Sequence, residues 1–265
     1  KPYSLIARRL NIDLMSTTSS STVASSPLGT LYLLPVTLGD DRLDNALPAE
    51  VLKLARTLDT FVVENEKTAR RFLSLIKTDK PVRELTLLPL NEHTEEKALP
   101  ELLKPLLQGR NVGIMSEAGC PGIADPGARL VELAHRKGIK VVPLVGPSSI
   151  LLSLMASGLD GQRFSFHGYL PSDKAARIQR LKELERESQK WQQTQLFIET
   201  PYRNQHMLED ILAQCQGTTR LCVATNISLS TERIVTKTIS EWKRHELPDI
   251  HRQPTVFLLL AAGGR

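Results

Sequence analysis

The chain has 265 residues, 41% hydrophobic and 24% charged, with a formal net charge of +5. That is the composition of a soluble globular protein of one large domain or two ordinary ones. No apolar run approaches the ~18–20 residues that span a bilayer; the longest, "VFLLLAA" near the C-terminus, has the length of a buried strand. Residues 15–27, "MSTTSSSTVASSP", are Ser/Thr-rich low complexity and predict disorder, so residues 1–27 read as a tail outside the fold. The tail has no long apolar core, which argues against a secretory signal. Residues before Met15 are consistent with a start placed too early, and their Arg and Ser content is that of a transit peptide without its amphipathic pattern.

From residue 30 the pattern is α/β. "TLYLLPV" (30–36) is a continuous apolar run, as a strand covered on both faces requires. Residues 48–58 place Val51, Leu52, Leu54, Ala55 and Leu58 on one helical face. A strand over 61–64, a helix over 67–77 and a strand over 85–90 follow, then a helix over 95–108 interrupted by prolines. "NVGIM" (111–115) is a strand, 128–138 a helix and "IKVVPLV" (139–145) a strand. This alternation predicts parallel strands joined by helices. Residues 145–158 read as a turn and a helix, with Leu151, Leu152, Leu154 and Met155 expected in the core.

The texture changes after Gly161. Strands are expected over 164–171, 194–199, 220–225, 232–240 and 255–261, with helices over 173–191 and 204–215. The first of these helices is so charged that most of it predicts a solvated face. The division is therefore an α/β domain over 28–143, a hinge over 144–149 and a second α/β domain over 150–265. Three cysteines without metal-ligand spacing fit a reducing compartment and the cytoplasm, with Cys215 and Cys222 read as small buried apolar residues and no metal expected.

Three loops follow the carboxyl ends of predicted strands, the edge where open parallel sheets bind ligands: 36–45, 116–127 and 146–149. None carries a dinucleotide fingerprint or a phosphate-binding lysine loop. In "SEAGCPGIADPG" (116–127), Asp125 is expected to cap the next helix with Pro126 at its first position. Gly119 and Gly122 add the freedom for unusual dihedrals and close backbone approach.

The stretches "GTLYLLPVTLGD", "LNEHTEE", "SEAGCPGIADPGARLV", "VVPLVGPSSIL", "FHGYLP" and "FIETPYR" occur in the order and spacing of one family. Over about residues 29–261 the chain resembles the small-subunit ribosomal RNA 2′-O-ribose methyltransferases. These belong to the tetrapyrrole-methylase superfamily, the class III S-adenosylmethionine-dependent methyltransferases. The resemblance implies two α/β domains with S-adenosylmethionine in the cleft between them, a homodimer, and ribosomal RNA or a ribosomal subunit as partner. It places Leu38, Ala118, Gly119, Cys120, Ile123, Ser148, Ser149 and Ile150 at the cofactor, and, more loosely, Ile198, Glu199 and Thr255. A ribose hydroxyl is a poor nucleophile while protonated, so a positioned base is expected. Glu64 and His93 are the candidates, and Arg70, Arg71, Tyr202 and Arg203 the candidate RNA contacts.

The departures from the family fall on polar positions. Glu64-Asn65 stands where Glu-Asp is usual, and Lys67 and Thr68 replace an arginine and a histidine. Tyr202 replaces a histidine, and Thr225–Leu229 replaces an Arg-Glu-Leu-Thr-Lys segment. Cys120 stands where relatives carry threonine or aspartate. A methyltransferase acting on a small tetrapyrrole-like molecule or on a protein, and a non-catalytic S-adenosylmethionine-binding module, are the alternatives to an RNA enzyme.

Overall fold

The structure is a computed structural model that describes residues 27–39 and 42–263. The expected disordered tail falls, apart from Pro27, outside the described residues. In chain order the first half runs β1 (Thr30–Leu33), α1 (Ala49–Thr57), β2 (Thr60–Val63), α2 (Glu66–Ile76), β3 (Thr86–Pro89), α3 (Leu99–Leu102), α4 (Lys104–Leu107), β4 (Val112–Met115), α5 (Gly127–Arg136) and β5 (Lys140–Pro143). The strands form one sheet, ordered β3-β2-β4-β1-β5 and parallel throughout. Every residue of β2 and β4 is buried, because helices cover both faces. The period-two alternation divides them: Phe61 and Val63 join one core with α1 and α2, while Val62 and Ile114 join the other with α3, α4 and α5.

The helix expected over 95–108 breaks into a 3-10 turn and the two short helices α3 and α4, with Pro100 and Pro105 each in a first turn. Proline is tolerated only there, where its missing N–H breaks no helical bond. Asn65, the residue before α2, caps it: its side chain accepts from the Lys67 and Thr68 amides.

The second half runs α6 (Ser149–Ser157), β6 (Phe164–Tyr169), α7 (Lys174–Trp191), β7 (Thr194–Ile198), α8 (Asn204–Gln214), β8 (Arg220–Thr225), β9 (Arg233–Thr238), α9 (Ile239–Trp242) and β10 (Thr255–Leu260). Its sheet is ordered β6-β7-β10-β8-β9. Only β6 and β7 are parallel; β10 lies antiparallel between β7 and β8, and β9 is antiparallel to β8. One face packs Phe197, Val223 and Phe257 against α7, α8 and α9. The other packs Leu196, Ala224 and Val256 against α6, and Leu38 from the first half leans on that same cluster.

One expectation needs correction. Leu154 is buried in α6, but Leu151 is 51% and Met155 78% exposed. A nine-residue helix lying on one sheet has only one buried stripe, and these two residues lie off it. The charged α7 is mostly solvated, as expected, and two of its charged residues are exceptions. Arg177 is buried and ion-paired at 2.7 Å with Asp210, and Glu185 is buried accepting from the Gln216 amide and Thr219 hydroxyl. Arg177 is neutralised by α8, and Glu185 is hydrogen-bonded by the loop after α8, which is what allows both to be buried.

Candidate active site between the two sheets

The loops at the carboxyl ends of the first sheet's strands meet the second sheet across a cleft of about 460 Å³, within the range of ligand pockets. These loops are pinned to one another. The Val36 amide donates to the Gly119 carbonyl at 2.9 Å, tying the loop after β1 to the loop after β4. The Glu117 amide donates to Glu64 Oε2 at 3.0 Å, tying the end of β2 to the same loop. Cys120 Sγ reaches the Pro147 carbonyl at 3.3 Å, tying it to the loop after β5.

Small residues are required at these crossings. Gly119 and Gly122 hold φ of +72° and +83°, the left-handed region that side chains disfavour. A Cβ on Gly119 would also press on Leu38 Cδ2 at 3.2 Å and the Pro147 carbonyl at 3.3 Å. Asp125 does more than begin a helix. Its carboxylate accepts from the Gly127 amide at 2.7 Å, but also from the Gly122 amide, so it closes the loop on itself. The helix starts at Gly127, one residue later than the capping pattern implied, with Pro126 as the cap residue.

All eleven positions expected at the cofactor lie on the wall of this one cleft: Leu38; Ala118, Gly119, Cys120 and Ile123; Ser148, Ser149 and Ile150; Ile198 and Glu199; and Thr255. Ser148 also caps α6, its hydroxyl accepting from the Leu151 amide. Glu64 is on the wall as well. Its carboxyl titrates above the ordinary carboxylate range because it is half-buried, with Asp125, Glu117 and Glu92 nearby adding repulsion against the Glu117 hydrogen bond. Burial likewise raises Asp125, and raises the Cys120 thiol.

His93 is not on the wall. It sits in the Asn91–Thr94 turn with its side chain 85% exposed, next to Glu92. Arg70 faces outward and pairs with Glu66 at 3.2 Å. Arg71 lines a smaller cavity of about 190 Å³ that shares Ser116 and Glu117 with the cleft. Arg203 donates to Glu199 at 2.7 Å, so it holds a buried wall carboxylate in place. Tyr202 projects from the rim, 66% exposed.

Several wall residues had no sequence signal of their own. Tyr169 reaches the cleft from the end of β6, where the pairing with β7 slips at a bulge between Phe166 and Tyr169. Burial and the Glu199 and Glu64 carboxylates push its phenol up. Asn226 and Ile227 come from the loop after β8, the segment that departs from the family pattern. The order "FHGYLP" was visible, but only the bulge decides which of its side chains enters the cleft.

The wall thus combines apolar side chains (Leu38, Ile150, Ile198, Val256) with four carboxylates, Glu64, Glu117, Asp125 and Glu199. Such a lining suits a ligand that has both an apolar part and a positive charge. No helix among the described residues is long and apolar enough to cross a membrane.

The chain belongs to the tetrapyrrole methylase family: the model of the Tetrapyrrole (Corrin/Porphyrin) Methylases matches residues 30–243. It is a methyltransferase of the S-adenosylmethionine-dependent kind. It is 31% identical over 244 residues to the ribosomal RNA small subunit methyltransferase I of Halalkalibacterium halodurans, covering 89% of this chain and 76% of the relative. To the protein of the same name from Vibrio cholerae it is 29% identical over 235 residues, covering 89% of this chain and 77% of the relative. Among solved structures, the methyltransferase CobJ shares the fold with a TM-score of 0.59 at 20% identity, over 88% of this chain and 95% of that one.

Proposed function

We propose that the cleft binds S-adenosylmethionine and that the chain transfers its methyl group to a ribose hydroxyl of small-subunit ribosomal RNA. The observation that carries this reading is the placement of Glu64, a carboxylate of raised pKa fixed by the Glu117 amide, on the wall shared by all eleven cofactor positions. The names of the relatives support the RNA acceptor. Bound there, S-adenosylmethionine supplies an electrophilic methyl on its sulfonium.

The chain's own residues do the rest. Leu38, Ile150 and Val256 give the adenine an apolar seat, and the backbone of Ala118–Cys120 offers polar groups at close range. The wall carboxylates favour a cation over a neutral ligand. Glu64 Oε2 is occupied by the Glu117 amide, which leaves Oε1 to accept the hydroxyl proton as the oxygen attacks. The raised pKa brings the carboxylate closer to the acceptor's, which favours the transfer. Glu199, held by Arg203, and Tyr169 close the second-sheet side and exclude water.

The reading includes a homodimer acting in the cytoplasm, where ribosomal RNA resides. Val145 and Met155, exposed at 72% and 78%, line one surface cavity beside α6, and a second copy would cover them. Sedimentation at micromolar concentration would return a single monomeric species if that part is wrong.

Calorimetry with S-adenosylmethionine, followed by transfer of labelled methyl to small subunits lacking the modification, tests the function. Binding with labelled RNA supports it. Binding with transfer only to a small molecule or protein from extract overturns the RNA acceptor, and binding without any transfer leaves a non-catalytic module.

A further inference from the structure

Next to the cleft, two segments remote in sequence bring an aromatic ring and a cation together. The 3-10 turn Pro201–Arg203 carries Tyr202 outward from Pro201, which itself lines the cleft. The Arg252 guanidinium lies 5.5 Å from the centre of the Tyr202 ring, and the His251 ring meets it edge-on at 6.4 Å. Tyr202 nevertheless stays 66% exposed, so much of its ring faces water.

The arrangement is braced. The Arg252 amide donates to the Pro201 carbonyl at 2.9 Å, and Arg252 holds φ of +59°, a conformation that a residue with a side chain adopts only when its surroundings impose it. Gln253 provides that restraint. Its Oε1 accepts from Asn226 Nδ2 at 2.8 Å, its carbonyl accepts from Asn204 Nδ2 at 2.6 Å, and its Nε2 donates to the Asp249 carbonyl at 2.9 Å. Among the described residues no carboxylate pairs with Arg252, whereas the surface arginines Arg70, Arg136 and Arg180 each hold a glutamate.

An exposed ring, an unneutralised cation against it and a rigid backbone beneath make up a stacking platform for a nucleobase. We infer that Tyr202, His251 and Arg252 bind single-stranded RNA at the cleft rim: a base neighbouring the methyl-accepting nucleotide stacks on Tyr202, and Arg252 meets the adjoining phosphate. This rests on the RNA reading above. A small acceptor held inside the cleft would not reach this platform, while a splayed-out strand entering the cleft passes it.

The test uses the full chain and unmodified small-subunit ribosomal RNA, with RNA affinity, KM and kcat for methyl transfer, and S-adenosylmethionine affinity as readouts. Tyr202→Ala is expected to weaken RNA binding and raise the RNA KM by about ten-fold, the order lost with one base–aromatic stack. Cofactor affinity stays within two-fold, and Tyr202→Phe and Tyr202→Trp restore binding. Arg252→Gln weakens binding and lowers the slope of log affinity against log salt by about 0.7–0.9, the value of one phosphate contact. If the wild type binds and methylates the RNA and Tyr202→Ala does so equally well, the platform is overturned while the RNA reading stands. If the wild type binds cofactor but neither binds nor methylates the RNA, both fall together.

Discussion

The two walls of the cleft are built by different means. The first sheet contributes crossed strand-end loops whose backbone is always one partner: Val36–Gly119 joins amide to carbonyl, while Glu64 and Cys120 set a side chain on the Glu117 amide and the Pro147 carbonyl. The second contributes side chains whose positions depend on polar partners, such as Glu199 on Arg203, Asn226 on Gln253, and Thr225 with Thr255. A backbone wall needs small residues and tolerates little bulk. A side-chain wall can change its chemistry residue by residue without disturbing the fold. The departures at Tyr202 and Thr225–Leu229 fall on the second wall or its rim, where such changes cost the scaffold least.

The comparison can be broken most strongly at Glu64, where the first wall carries a side chain with a chemical task. Glu64→Gln is expected to lower methyl transfer by about 10²–10⁴-fold, the usual worth of a general base, while cofactor affinity falls far less because Glu117, Asp125 and Glu199 remain on the wall. The raised carboxyl also sets a sign. The base form is lost as pH falls through a pKa above the ordinary glutamate value, so the acid limb of the rate profile lies higher than a free carboxylate would place it, and it vanishes in Glu64→Gln. For stability, a raised pKa favours the folded state below the unfolded value, and this contribution is lost as pH rises through the folded one. Glu64→Gln is therefore expected to melt no lower than wild type at neutral pH. A lower melting temperature would show the carboxylate to be a structural anchor.

Away from the cleft, Asp210→Ala leaves Arg177 buried without its partner and is expected to cost about 3–5 kcal/mol in urea unfolding. Cofactor affinity of the folded fraction should be unchanged. Gly119→Val tests the backbone wall, with about 1–3 kcal/mol lost to the left-handed dihedral and a weaker calorimetric signal with S-adenosylmethionine, because the side chain presses Leu38 and Pro147 apart. If cofactor affinity held while stability fell, the crossing would be scaffold alone. The smallest effect is expected at Cys120→Ser. A hydroxyl replaces the weak thiol donor to the Pro147 carbonyl, and stability changes by less than about 1 kcal/mol, read as a shift in thermal midpoint.

Much of this was legible along the chain, because the first wall is local. Leu38, Glu64, residues 118–123 and Ser148–Ile150 each follow the end of a strand, and a parallel sheet gathers all its strand ends on one edge. His93 follows β3 in the same way, yet its turn opens to solvent. The second wall was less legible. The βα alternation over residues 194–225 says nothing of β10, which inserts between β7 and β8 from the far end of the chain. Nor does sequence separate Arg203, engaged with Glu199, from Arg252, which faces outward.

The sequence by itself determined the elements, the small-residue loops and their order, because apolar periodicity, capping and turn chemistry act over a few residues. Tertiary structure alone decided the antiparallel insertion of β10, the bulge that aims Tyr169 inward and the pairing of Tyr202 with Arg252. It also decided that Leu151 and Met155 lie at the surface. Each of these depends on which distant segment comes to lie alongside, and hence on the competition among long-range contacts for the same faces, edges and charges.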